Sequence, residues 1–248
     1  MIDLEVFMEN IIKEKIDRII ANYRNNHKYN KNSLILYHGS KGGISGDIKP
    51  ISRIRCDFGS GFYMGETFLQ PLTLICNNDD AIFYILNVDL SGLKVLEVDI
   101  DLDWALLVAY HRGKMEGYED SELFKKYQNI TRGYDMVIGY IANDRMFYVL
   151  EQFFEGQITD RALIQSLSAL NLGRQFVALT EKACSQIKVI DKMKLSKQER
   201  QYMVEKSSQQ RKEGINLAND ICKKNRRTGL FFDEILSEEA NENETRKL

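Results

Sequence analysis

Three short groups of residues carry most of the chemistry this sequence can offer. Tyr37-His38-Gly39-Ser40 places an aromatic ring, an imidazole, a glycine and a hydroxyl side by side at the end of an apolar run. Asp57-Phe58-Gly59-Ser60-Gly61-Phe62-Tyr63 follows, and Gly173-Arg174-Gln175-Phe176-Val177 lies far downstream. Residues 39–65 hold seven of the sixteen glycines. At that density the backbone either adopts conformations closed to other residues or comes close to a ligand. A histidine and a serine at a strand end can hydrogen-bond hydroxyl groups, and a tyrosine ring offers a stacking surface. Taken singly, His38 reads as a satisfied structural residue, and Phe62 and Tyr63 read as core aromatics. Their grouping with Gly39 is what points to a binding site.

Most standard catalytic signatures are missing. No GxxxxGK[ST] phosphate loop, HExxH helix or GxSxG elbow occurs, and the three histidines His27, His38 and His111 form no metal-ligand pattern. Gly59, Gly61 and Gly65 miss the GxGxxG spacing by one residue and lie outside any βαβ unit, which excludes a Rossmann site. Cys56, Cys76, Cys184 and Cys222 are far apart with no CxxC pair, pointing to a reducing cytoplasm rather than a disulfide scaffold or a zinc site.

The elements that must position these residues follow from periodicity. Residues 1–23 predict an amphipathic helix, with Leu4, Phe7, Met8, Ile11, Ile12, Ile16, Ile19 and Ile20 at three- and four-residue spacing. Such a helix packs on its own domain or on a second copy. After an Asn-rich break, 33–37 reads as a buried strand and 66–77 as a short helix. Residues 81–88 and 94–98 read as strands joined by a Ser91-Gly92 turn. A helix over 103–112, a strand over 136–139, helices over 143–155 and 160–170, and strands at 175–179 and 187–190 complete the pattern. Strands and helices do not alternate in βαβ order, so the expected class is α+β.

Composition narrows the class further. The chain has 248 residues, 44% hydrophobic and 28% charged, with a formal charge of −2. Its mean hydropathy is −0.36. This is a globular balance, with no membrane span, no signal peptide and no overall basic footprint for nucleic acid. From 192 to 227, eleven Lys/Arg face four Asp/Glu, and from 233 to 244 there are six acids and no base. The expected organisation is an N-terminal helix and linker over 1–32, a central domain over 33–190, and a charged, exposed helical extension over 191–248 with a disordered end.

Four segments, in order, carry a resemblance. They are Tyr37–Ser40, Asp57–Tyr63, Asp135-Met136-Val137-Ile138-Gly139-Tyr140-Ile141-Ala142-Asn143-Asp144-Arg145, and Gln175 through Thr180-Glu181-Lys182-Ala183. The chain resembles the ADP-ribosyltransferase superfamily, in the histidine-tyrosine-third-residue branch that includes diphtheria-toxin-like and poly-ADP-ribose-forming enzymes. It looks most like a bacterial family of that fold with YHGS, DFGxGFY, DxVIGxxAxDR and QxxxxTEKA segments. The resemblance covers roughly residues 33–190.

That resemblance implies two small antiparallel sheets packed around an NAD cleft, with helices outside. It implies transfer of a single ADP-ribose unit from NAD to a protein or nucleic-acid acceptor, with release of nicotinamide and without a metal. His38, Gly39 and Ser40 would hold NAD. The loop Asp57, Phe58, Gly59, Gly61, Phe62 and Tyr63 would fold over it, with Tyr63 stacked on nicotinamide. Gln175 stands where well-studied members place a glutamate, and an amide there can hold a ribose without bringing negative charge. Asp144 and Arg145 are candidates for lining the site. Bacterial enzymes of this kind are often toxins or delivered effectors, which implies an antitoxin or self-association through the N-terminal helix. Two other readings stand beside this one: a nucleotide-sensing or interaction module that keeps the fold without the chemistry, and a nucleic-acid-directed protein that uses the basic segment 192–227.

Overall fold

The computed structural model describes residues 4–28, 30–53, 55–142, 144–170, 173–225 and 228–237, with backbone only for 4–6, 144–146 and 170. The extreme C-terminus, where the sequence predicts disorder, lies outside the described residues. Along the chain come α1 (Leu4–Asn26), β1 (Ser33–Ser40), β2 (Phe62–Gly65), α2 (Leu69–Ile75), β3 (Ile82–Asp89) and β4 (Val95–Val98). Then follow α3 (Leu102–His111), α4 (Glu122–Asn129), β5 (Met136–Tyr140), α5 (Asp144–Phe154) and α6 (Asp160–Leu170). The order ends with β6 (Arg174–Ala178), α7 (Glu181–Ser185), β7 (Ile187–Met193) and α8 (Lys197–Lys224). The class is α+β, as the element order predicts.

The strands form one seven-stranded sheet in the order β4-β5-β6-β2-β1-β3-β7. All pairs are antiparallel except β4 with β5. Two well-paired halves can be distinguished. β1 pairs with β3 over its whole length, from Ser33↔Asp89 to Ser40↔Ile82. On the other side β2 pairs with β6 from Phe62↔Ala178 to Gly65↔Gln175. The halves meet only at Tyr37↔Gly65. They are therefore one hydrogen-bonded sheet rather than two, divided by a joint one residue pair wide.

The Ser91-Gly92 turn does not make a hairpin of its flanking strands. The positive φ of Gly92, 70°, turns the chain away from β3, and β4 crosses to the far edge to pair with β5. Asp135 holds it there by accepting the backbone N–H of Lys94 at 2.9 Å. The same carboxylate accepts Thr180 Oγ1 at 3.0 Å and Lys182 Nζ at 2.9 Å. These bonds hold its carboxyl well below the usual range, at about 2. The Asp135 and Thr180–Lys182 segments are thus fastened to each other and to β4.

Alternating side chains give the sheet two apolar faces. One carries Leu36, Phe62, Met64, Leu86, Ile138 and Phe176, closed by Ala183 and Cys184 of α7. The opposite face of the β1–β3 half packs against α1, α2 and the start of α8, through Ile12, Ile16, Leu72, Ile75, Phe83 and Met203. The opposite face of the β5–β6 half packs against α3, α5, α6 and the end of α8, through Trp104, Leu150, Phe153, Leu163, Val177 and Ala218. So α1 packs on its own domain.

The C-terminal segment does not behave as an exposed extension. Its boundary at 190 falls inside β7, and α8 buries Tyr202, Met203, Ala218 and Cys222. The apolar residues of α8 are too sparse to make a strong amphipathic signal, and Leu217 stays exposed, yet these four are buried. Among the described residues no helix is long and apolar enough to cross a membrane.

Candidate functional site at the joint of the sheet

β2 is entered through a tight loop that its own tyrosine closes. Gly59 sits at φ 78°, a left-handed conformation that a side chain resists. The Tyr63 hydroxyl donates to Gly59 O at 2.7 Å and accepts the Phe58 N–H at 3.0 Å. Burial pushes this hydroxyl far above its ordinary pKa, so it stays a neutral donor. Phe58 is fully buried, with its ring against Gly139. Gly61 lies so close to β6 that a Cβ would fall 2.5 Å from Val177 Cγ1. Much of this loop therefore serves the fold. Tyr63 nonetheless remains part-exposed at the joint.

Asp57 begins the loop and is only 4% exposed. Its Oδ1 accepts Arg112 Nε at 2.9 Å and Nη2 at 2.5 Å. Its Oδ2 accepts the Ala142 N–H at 3.0 Å and Gln175 Nε2 at 2.7 Å. Four donors occupy the carboxylate, which leaves it no direct role towards a ligand. Arg112 also donates to Ala142 O at 3.1 Å, and its guanidinium lies 4.2 Å from the centre of the Phe147 ring. Asp57 thus ties the β2 loop, the end of α3, the segment after β5 and the start of β6 into one point.

Gln175 is 6% exposed. Its Nε2 spends one hydrogen on Asp57 and the other on Tyr140 O at 3.0 Å. This fixes which end of the amide is nitrogen, because both partners only accept. Oε1 accepts no hydrogen bond from any described residue. Register sets Gln175 on the same face as Tyr63 and Gly65.

His38 stands across the joint. Its Nδ1 donates to Tyr63 O at 2.7 Å, which fixes the tautomer, since a carbonyl only accepts. Burial lowers its pKa, so the ring is neutral and Nε2 is an acceptor without a donor among the described residues. The ring stacks on Phe62 with centroids 4.4 Å apart. Past Tyr37, β1 pairs only with β3, so residues 38–40 leave their other backbone edge without a strand partner.

The structure thus gives two hydrogen-bonded groups, His38 with Tyr63 and Asp57 with Gln175 and Arg112, joined through the backbone of the 57–63 loop. It puts His38 and Phe62 on one sheet face and Tyr63 and Gln175 on the other. Gly39 has a packing reason: a Cβ there would fall 2.8 Å from both Ile75 Cγ2 and Pro71 O of α2. Ser40 lies at the end of β1, and its hydroxyl has no partner among the described residues. The side chains of Asp144 and Arg145 lie outside the described residues, though α5, which they open, begins two positions after Ala142 in sequence.

From sequence, His111 and Arg112 read as packing and helix-end residues, and the structure gives Arg112 a further part as the partner of Asp57. Arg112 looks like an ordinary helix-end cation, and only the need of a buried Asp57 for a partner could have singled it out. His111 rests on Gly59, where a Cβ would meet its Nδ1 at 2.9 Å. Its buried Nε2 has no hydrogen-bond partner among the described residues, and burial lowers its pKa to about 4. Two surface hollows lie elsewhere, one lined by Gln128, Asn129, Thr131 and Arg132 and the other by Asp47, Ile48 and Lys49 with Glu181, Cys184, Ser185 and Ile187. Neither includes His38, Tyr63 or Gln175.

A family model, described as protein of unknown function (DUF3990), matches residues 34–189. The chain belongs to the DUF3990 family. The DUF3990 match runs from the second residue of β1 to the third residue of β7 and contains His38, Asp57, Tyr63, Arg112 and Gln175, while α1 and α8 flank it. No curated protein and no solved structure matches the chain.

Proposed function

We propose that this DUF3990 protein binds NAD at the joint between β1 and β2 and transfers one ADP-ribose unit to an acceptor, releasing nicotinamide. In this reading the divided sheet corresponds to the two-part sheet of ADP-ribosyltransferases. The observation that carries it is the open backbone edge of residues 38–40 at the joint, with the unspent acceptor His38 Nε2 beside it on one sheet face and Gln175 Oε1, on β6 beyond β2, on the other. Each is held by a hydrogen bond to its other nitrogen or nitrogen-borne hydrogen, so each is oriented before a ligand arrives. A fixed acceptor suits a ribose hydroxyl.

The reaction breaks the bond between the ribose C1′ and the nicotinamide nitrogen. The electron pair leaves with nicotinamide, which becomes neutral, and the ribosyl carbon takes up cationic character. The acceptor's nucleophile forms the new bond to C1′ and loses its proton. His38 would hold a ribose hydroxyl through Nε2, and Gln175 would hold another through Oε1 near the reacting carbon. The Tyr63 ring would stack on nicotinamide, worth about 0.5–1.5 kcal/mol beyond burial. Asp57, Phe58 and Gly59 would support these groups without touching the substrate.

The test is nicotinamide release, followed by chromatography, together with the thermal shift produced by NAD. Wild type should show both, and His38→Ala should lose most of the thermal shift. An equal NAD response in wild type and His38→Ala would remove the site from the joint. A second reading, a nucleotide-binding module without transfer, is favoured by the full engagement of the Gln175 N–H groups. It predicts an NAD thermal shift with no nicotinamide release. For a nucleic-acid-directed role the support is charge alone, and Arg200 and Lys206 of that segment already pair with Asp79 and Glu9.

A further inference from the structure

We infer that Asp57 is a positioning residue that works through Gln175, supplying from behind the amide the negative charge that Gln175 itself lacks. The inference rests on the NAD reading above and deepens it. Three observations carry it. First, the Asp57 carboxylate is buried and lies 2.7 Å from Gln175 Nε2. A hydrogen bond from a neutral amide to a carboxylate is charge-assisted and about twice as strong as a neutral one.

Second, the amide is conjugated. Electron density drawn towards the N–H end by its own donation is returned at the carbonyl end, so a bound anion at Nε2 makes Oε1 a stronger acceptor. The second N–H, on Tyr140 O at 3.0 Å, acts in the same sense. The amide is thus fixed at one end by a carboxylate and a carbonyl, while the other end bears the only acceptor left over.

Third, the Asp57 charge is kept in place rather than spent on Gln175 alone. Arg112 takes Oδ1 with two N–H groups, and Oδ2 takes the Ala142 N–H besides Gln175. The carboxylate therefore has a fixed orientation, and Gln175 inherits it. Packing of the core does not need such an arrangement, because a buried ion pair with its attendants is often no more stable than an apolar replacement. A site that must stabilise a ribosyl cation without placing a carboxylate against it has use for one set a bond network away.

The experiment is a double-mutant cycle on Asp57→Asn and Gln175→Ala, reading kcat and KM for nicotinamide release together with thermal unfolding. Each single variant should lower kcat roughly tenfold or more, the scale of one lost hydrogen bond to a charged group, with KM for NAD changed less than kcat. In the Gln175→Ala background, Asp57→Asn should cost no further kcat. Multiplying losses would show Asp57 acting independently of Gln175 and would overturn the inference.

Side-chain amide NMR of the wild type provides a readout independent of turnover. The Gln175 amide protons, assigned by their absence in Gln175→Ala, should be shifted from free-glutamine positions and exchange slowly. Rapidly exchanging protons at free-glutamine positions would overturn the relay even if NAD is cleaved. Shifted, protected protons without any nicotinamide release would retain the Asp57–Gln175 pair and remove the reading of function.

Discussion

A carboxylate in place of the Gln175 amide shows what the buried network tolerates. In Gln175→Glu the new side chain would face Asp57 Oδ2 and Tyr140 O, two acceptors that now bind N–H groups. Only a protonated glutamic acid can donate there, so its pKa would rise above the unfolded value of about 4.3. A group raised in the fold destabilises increasingly as pH climbs past its unfolded value. Gln175→Glu should therefore lose stability at pH 7.5, on the order of 3 kcal/mol, and recover much of it near pH 5. Urea unfolding at the two pH values measures this, and equal losses at both would mean the carboxylate finds another orientation. His111 gives the opposite sign. Its neutral form is favoured by burial, with a folded pKa of about 4, so stability present above about 6.5 should fall away as pH drops towards 4, by at most about 3 kcal/mol. His111→Phe keeps a flat ring over Gly59 and removes the titration. It should flatten this acid limb, and an unchanged limb would assign it to other groups.

At the level of elements, the glycines separate what was legible from what was not. The sequence marked residues 39–65 as special, and Gly59 does adopt the left-handed backbone that glycine allows. Gly39 and Gly61, however, are glycines because α2 and β6 approach them, a fact of tertiary packing that spacing along a chain does not encode. Gly39→Ala should accordingly destabilise by about 1–3 kcal/mol through overpacking, visible as a lower melting temperature without any ligand. An unaffected melting temperature would return Gly39 to a purely binding role. Helix and strand positions were readable because apolar period reports which face is buried, as Ile12, Ile16 and Ile20 show for α1. Pairing was not readable in the same way. β4 and β3 look like a hairpin in sequence, and the choice of β5 as partner is made by Asp135 reaching Lys94 across a separation of 41 residues. The Asp57–Gln175 contact spans 118 residues and was equally hidden, although both residues stood out individually.

At the scale of the molecule, α8 completes both helical cores. A chain ending at 190 loses the last part of β7 and withdraws Tyr202 and Met203 from one core and Ala218 and Cys222 from the other. Such a truncation should fail to unfold cooperatively by circular dichroism, whereas one ending at 237 should retain a single transition. A sharp, wild-type-like transition for the shorter chain would restore 191–248 as a separate appendage. The joint itself gains a mechanical character from this arrangement. One rung between two half-sheets offers little resistance to shear. Beside the apolar face that the two halves share, what resists is a helix of 28 residues, about 42 Å long at 1.5 Å per residue. It is clamped at one end to the half-sheet that bears His38 and at the other to the half that bears Gln175. Its mid-section contains Gly214, the least stiff residue a helix can carry. The gap between the two acceptors is thus gauged by a distant beam, and a bend in that beam would change their spacing without altering either residue.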